Sequence, residues 1–394
     1  MPDPIPWVPV RQHLEAPEIA DPEAGLARAL AASPATGALA GRRVAVPVGS
    51  RAVCGLAGLV RCLVAHLRSA GADPFVVPAM GTHGGATPEG QEQTLGDLGV
   101  TPGTVGAPVV SRPEVVRAGE TPSGIAVWCD RSAWEADLIV PLHRVKPHTA
   151  FRGPLESGPA KLLAVGLGKE RSARELHRRG LARGVPEVLA FWLGSGKVPF
   201  GVALVENARH RVARLEVLEP RGWLEAEARL LELARDLFPR LPWDELDLLV
   251  VERIGKDISG TGMDLNVIGM ERRFPGCGAT PRIARIVALD LTDASHGNAN
   301  GVGYADVVTR RLEERMDREA TYANARATGF LEAARLPMVA AGEREAVEIA
   351  LESLRLGPDE VRAVRIRDTA HLERLRVSPA LARRLPQGVH KTCG

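Results

Sequence analysis

The chain has 394 residues, too many for one ordinary hydrophobic core, so two domains are expected. Its 45% hydrophobic and 25% charged residues suit a soluble globular protein. A formal charge of +2 and 4% aromatics exclude a nucleic-acid binder driven by phosphate contacts or base stacking.

The opening Met1-Pro2-Asp3-Pro4-Ile5-Pro6 has neither the basic nor the apolar region of a secretory signal, and no apolar run approaches the ~18 residues of a membrane helix. The five cysteines (Cys54, Cys62, Cys129, Cys277, Cys393) form no Cys-x-x-Cys pair, so a reduced, cytoplasmic protein without a membrane partner is expected. The run 43–48 predicts a short strand, and Leu56, Leu59, Val60, Leu63 and Leu67 mark one face of a helix over 53–70. A strand follows at 74–77, and Thr87-Pro88 opens a helix over 89–98. The apolar run 136–142 predicts a buried parallel strand. Then come a strand or buried turn at 162–167, a helix at 171–179, a strand at 202–205 and an amphipathic helix at 223–237. Pro239-Arg240-Leu241-Pro242 marks a boundary. Beyond it, strands are expected at 246–251, 283–289 and 361–367, and helices at about 304–316, 324–334 and 343–355.

Such alternation predicts two α/β domains with mostly parallel sheets and an interdomain cleft. The first would span residues 1–240 and the smaller second 241–375, with 376–394 a tail able to return to the first. Ligands of parallel sheets bind beyond the carboxyl ends of strands, and His83 and His148 each follow an expected strand by a few residues.

His83 lies between Gly81 and Gly84-Gly85, small neighbours that leave an imidazole accessible as a general acid or base; a plain turn histidine is the alternative. His148 follows Lys146-Pro147 on a stiffened loop with Arg152 and Glu156, which is either a positioned site or an exposed polar loop. His177, on an expected helix, is a solvated surface residue unless a cofactor supplies further metal donors. Only six of the 50 basic residues are lysines, and Lys146, Lys161 and Lys169 cluster, which reads either as amine chemistry at one of them or as chance with phosphate or carboxylate contacts. Gly166-Leu167-Gly168-Lys169 fails the nucleotide P-loop pattern, but Gly166 and Gly168 can offer backbone N–H groups to a monophosphate. Arg51 reads as a carboxylate fork or a surface charge, and the loop 255–266 as an anion or substrate loop or a long connection.

These segments together resemble the lactate racemase family, through Gly81-Thr82-His83, Lys146-Pro147-His148, the lysine after Ser157-Gly158, His177, and Asp264-x-Asn266. The resemblance is nearest to a branch with Gly-Ser-Arg, Gly-Ser/Thr-His-Gly-Gly-Ala-Thr and Lys-Pro-His-Thr blocks. It implies a nickel-pincer nucleotide, the nickel complex of pyridinium-3,5-bisthiocarboxylic acid mononucleotide. Lys161 would hold one arm of it, His177 would be the protein's nickel ligand, and Ser157, Gly166 and Gly168 would line it. His83 and His148 would be the opposed acid/base pair, and Arg51, Lys146, Asn266 and Arg272 would bind substrate. The implied activity is racemisation or epimerisation of a small 2-hydroxy acid by proton-coupled hydride transfer, with cofactor-synthesis or loading proteins as partners and homo-oligomer formation left open. The chain departs from the lactate enzymes at Val48, where they carry Asp, at Gly269 and Arg272, where they carry Gln and Lys, and in a loop to Lys161 longer by about three residues and bearing Glu156. These changes fall on the substrate side and point to an acid larger or more polar than lactate. The competing expectations are a non-catalytic nickel/nucleotide-cofactor-binding homologue and a hydrolase with zinc on His83, His148 and His177.

Overall fold

The computed structural model describes residues 3–34, 39–81 and 83–392; Thr82 and Cys393 therefore lie outside the described residues. The chain divides after Phe238 into two compact units, residues 15–238 and a second formed by the N-terminal 14 residues with residues 239 onward. Each is α/β.

In the first unit, Arg43–Val48 is the central strand of a parallel trio with Asp73–Pro78 and Leu138–Ile139. Its alternation is buried on both faces: Ala45 enters one core with Phe75 and Val77, and Val44, Val46 and Val48 enter another with Val76. The helix Leu56–Ser69 covers the second core through Leu56, Leu59, Val60, Leu63, Val64 and Leu67. The helix Trp223–Asp236 covers the first through Trp223, Leu230, Leu231 and Ala234. The expected strand at 136–142 is two short strands. Pro141 lacks the N–H a ladder needs, and there the chain leaves the first sheet. Leu142–Arg144 then pairs in parallel with Gly201–Glu206, which pairs antiparallel with Val212–Leu218. An antiparallel hairpin, Val115–Glu120 with Ala126–Asp130, was not expected. The run 162–167 is a turn of π-helix over Leu162–Gly166.

In the second unit an eight-stranded sheet has five parallel strands in the order Met338–Ala340, Val307–Thr309, Arg282–Ala288, Glu245–Val251, Ala363–Ile366. Three antiparallel strands follow: Arg374–Val377, Val8–Gln12 and Val389–Lys391. The expected helix at 304–316 is instead the strand Val307–Thr309 and the short helix Arg310–Glu314, because β-branched Val307, Val308 and Thr309 pair with Arg282–Ala288. Residues 3–14 were placed with the first domain, and 376–394 were allowed to return to it. Instead Val8–Gln12 sits between Arg374–Val377 and Val389–Lys391, so both chain ends belong to the second unit.

Candidate active site

The strands Arg43–Val48 and Asp73–Pro78 of one sheet lead to Gly49-Ser50 and to the His83 loop, and these meet each other and His143 on Leu142–Arg144 of the neighbouring sheet. Gly49 lies against the His143 ring: a Cβ at Gly49 would come 2.7 Å from the ring Cε1, so only glycine lets loop and ring meet. The next residue, Ser50, hydrogen-bonds His83 Nδ1. His83 is held by its own loop as well. Its N–H donates to the Met80 carbonyl at 3.2 Å, and buried Gln91 donates to the Gly81 carbonyl at 3.2 Å. Gly84, at φ +64°, packs so close to Gly90 that a side chain would overlap it.

His143 escaped the sequence reading, although a histidine at the carboxyl end of an expected parallel strand was its signal. Desolvation first, and then the charges of Arg144, Lys161, Lys146 and Arg51, push its pKa down to about 3, so the ring is neutral throughout the physiological range. Arg144 has its own counter-ion, Glu206, which also accepts from the Cys54 N–H at 2.7 Å. Arg51, Lys146 and Lys161 also place their charges toward this imidazole. Lys161 feels them too. Desolvation, then Arg51 and Lys146, lowers its amine to about 8.

Lys161 ends the short helix Pro159–Lys161, which leads into the π turn. The helix starts on Glu227, a buried carboxylate that accepts from the Ala160 N–H at 3.2 Å and from Trp223 Nε1 at 2.7 Å. Glu227 occupies the space a side chain at Gly158 would take. Burial raises its carboxyl to about 7 against those two hydrogen bonds. Lys146 and Ser157 pair through both backbone hydrogen bonds, at 3.0 and 3.2 Å, which closes the loop between His148 and Lys161.

Within that loop His148 is half-buried and stacks on Phe151 with centroids 4.7 Å apart. The Ala150 N–H donates to His148 Nδ1 at 3.0 Å, which assigns the ring proton to Nε2. Glu156 is buried beneath this loop. Its buried carboxylate accepts from the His148 N–H at 2.6 Å and from Arg235 at 2.7 Å, and so staples the loop to the Trp223–Asp236 helix. The extra residues of this loop thus build support around His148.

Other expected site residues are placed differently. His177 is exposed on the last turn of the helix Lys169–Arg179. Gly166 and Gly168 are buried packing positions: a Cβ on the first would overlap the Ala79 carbonyl, and on the second would lie 2.5 Å from the Trp128 carbonyl. The close approach of neighbouring backbone accounts for both glycines. Lys169 ion-pairs with buried Asp130 at 3.0 Å. In the second unit Arg272 is not an open carboxylate fork. It binds Asp306 at 2.8 Å and the carbonyls of Ile283 at 2.8 Å and Ala284 at 3.0 Å, and so ties its own sheet together. Asn266 is held by the Asp264 carboxylate, which accepts its N–H at 2.9 Å and its amide at 2.8 Å. The loop 255–266 is closed on itself, with Lys256 Nζ on the Gly260 carbonyl at 2.7 Å and on Asn324 at 2.5 Å. Among the described residues no three His, Cys, Asp or Glu converge on a metal position, which removes the donor set of a zinc hydrolase on His83, His148 and His177. No helix among the described residues is long and apolar enough to cross a membrane.

A neutral histidine, two part-exposed histidines and a lysine of lowered pKa make a polar cluster in this α/β unit a candidate small-molecule site. Residues 16–185 match the model of the lactate racemase N-terminal domain. The match includes Arg51, His83, Lys146, His148, Lys161 and His177 and ends before Asn266 and Arg272. Among solved structures the chain is similar to the lactate racemase apoprotein of Thermoanaerobacterium thermosaccharolyticum, at TM-score 0.57 and 14% identity over 91% of this chain and 94% of that one. It is also similar to a structural-genomics protein of Thermotoga maritima, at TM-score 0.54 and 14% identity over 91% and 99%. Identities this low show a shared fold. Comparison with curated proteins finds no match.

Proposed function

We propose that the protein is a racemase or epimerase of a 2-hydroxy acid that works with a nickel-pincer nucleotide. The observation that carries this reading is Lys161, an amine lowered to about 8 between Arg51 and Lys146. At pH 7.5 such an amine is unprotonated in about a quarter of molecules, available for bond formation with an electrophilic arm, while its cationic neighbours suit an anionic nucleotide. The absence of any three-residue metal position among the described residues fits a metal whose other donors come from an organic ligand, with His177 as the protein's single contribution.

When bound, that cofactor supplies a reversible hydride acceptor for C2 of the substrate. The chain's residues supply position and protons. His148 carries its proton on Nε2 and is set to donate a hydrogen bond from it to the substrate. His83 can give an Nδ1 proton to Ser50, which leaves Nε2 to accept the substrate hydroxyl proton. Arg51 and Lys146 offer charge to the substrate carboxylate, and His143, neutral, adds none.

Protein co-expressed with cofactor-synthesis proteins should show a nickel-bearing mass adduct on Lys161 and should exchange C2 deuterium in at least one 2-hydroxy acid. His83→Ala and His148→Ala should each abolish exchange and keep the adduct. Full exchange in both variants would sink the proposal. The second reading, a nickel/nucleotide-binding homologue without turnover, is favoured by Arg272, whose guanidinium is bound within its own sheet. It predicts an adduct with no exchange across a broad panel of hydroxy acids.

A further inference from the structure

In the second unit the chain begins its parallel sheet at Glu245–Val251, builds outward on one side, then returns to the other side of that strand as Ala363–Ile366. The gap between these two strands is the topological switch point, where loops at the carboxyl ends diverge and leave a crevice. The loop after Ala363–Ile366 reads Arg367-Asp368-Thr369-Ala370-His371. Asp368 is 2% exposed, and its carboxylate accepts from His371 Nδ1 at 2.7 and 2.9 Å and from the Ala370 N–H at 2.8 Å. Arg367 Nε lies 3.5 Å from the same carboxylate. The His371 side chain is 53% exposed. A proton on Nδ1, donated to Asp368, leaves the Nε2 lone pair on the exposed ring. Across the crevice, buried Thr369 accepts the Asp264 N–H at 2.9 Å, and Asp264 holds the Asn266 amide. Two buried aspartates, joined through Thr369, thus each orient one polar side chain on the loops of a switch point. Buried carboxylates that orient an imidazole and a carboxamide are the parts of a small-molecule site.

We propose that Asp368 and His371 form an oriented acid/base pair that binds the hydroxyl of a small hydroxy acid anion in the second unit. His371 Nε2 accepts the hydroxyl proton's hydrogen bond, and the exposed guanidinium of Arg367 faces the carboxylate. The choice of ligand class rests on the reading of the protein as a 2-hydroxy acid enzyme; the dyad itself does not.

The test uses full-length, cofactor-free protein with isotope-labelled histidine, the His371 ring signals being assigned through His371→Asn. Malate, lactate and glycerate are the probes, with succinate as the analogue of malate that lacks the hydroxyl. At least one hydroxy acid should shift the His371 ring signals. Succinate should bind about tenfold or more weakly than malate, since it leaves the Nε2 acceptor unmatched. Asp368→Asn should move the ring proton to the other nitrogen and remove the shift, while His83→Ala should leave it intact. No shift with any of the three acids, or an equal shift with succinate, would overturn the proposal. If no shift occurs while separately prepared cofactor-loaded protein exchanges C2 deuterium, the dyad reading fails and the racemase reading stands. If the shift occurs and the cofactor-loaded protein exchanges no C2 deuterium, the dyad reading stands and the racemase reading fails.

Discussion

Glu227 fills the place of a side chain that Gly158 lacks, and it does so as a carboxylate with no cation beside it. Its pKa, raised to about 7, lies above the ordinary 4.5 it would have unfolded. The folded state therefore favours the protonated form, so its contribution is fully present below about pH 4.5 and is lost as pH rises through about 7. A difference of this size is worth at most about 3 kcal/mol. The melting temperature should fall between pH 5 and pH 8, and Glu227→Gln, which cannot ionise, should flatten that fall. An unchanged slope in the variant would show that another group governs it. Ser50→Ala addresses His83 in the same way. Loss of the Nδ1 partner should slow C2 exchange by about tenfold to a hundredfold with little change in KM, measured on cofactor-loaded protein. His83, His148 and Lys161 stand out in the sequence because they lie in motifs within one stretch of chain. His143 and Glu227 do not, because their meaning lies in partners that only folding brings: Gly49 for the first and Ala160 for the second.

The π turn Leu162–Gly166 shows what an element contributes to a site that its residues do not touch. Gly81 donates to the Gly166 carbonyl at 3.3 Å, and Gly166 has no room for a side chain beside the Ala79 carbonyl. The turn that follows Lys161 is therefore locked to the loop that carries His83. Gly166→Ala should cost about 1–3 kcal/mol, read from the denaturant midpoint, because a buried backbone must move. It should also slow labelling of Lys161 by an amine-selective reagent. The next helix begins on a buried ion pair, Lys169 with Asp130 at 3.0 Å. Lys169→Met leaves that carboxylate buried alone, which should cost about 3–5 kcal/mol by chemical denaturation. The paired change Lys169→Met with Asp130→Asn should recover most of the loss. Helices with a clear 3.6-residue stripe, such as Leu56–Ser69 and Trp223–Asp236, were readable along the chain. The π turn carries the same apolar run as a strand, and Val307–Thr309 is too short for its alternation to register. Both were decided by neighbours distant in sequence.

At the scale of the whole molecule, the division after Phe238 coincides with a Pro-rich stretch, while the grouping of the two chain ends was hidden. Val8–Gln12 is short, contains Pro9, and meets its partners across more than 360 residues, as in Val8 opposite Val377 and Val10 opposite Lys391. No local pattern announces such a pairing. Deletion of residues 1–14 should expose the facing edges of Arg374–Val377 and Val389–Lys391. Calorimetry should then show loss of stability confined to the second unit, with aggregation on heating. A first unit that lost its Lys161 reactivity in this variant would contradict the division. The same arrangement also sets an order on biosynthesis. The strand Val8–Gln12 must wait, unpaired, until residues 374–391 have been made before its two neighbours exist. Residues 15–238 need no such delay and can fold while the ribosome is still at work. The first unit would thus be complete before the unit that encloses it in sequence can close, and the waiting segment 8–12 is where nascent-chain chaperones have the most reason to bind.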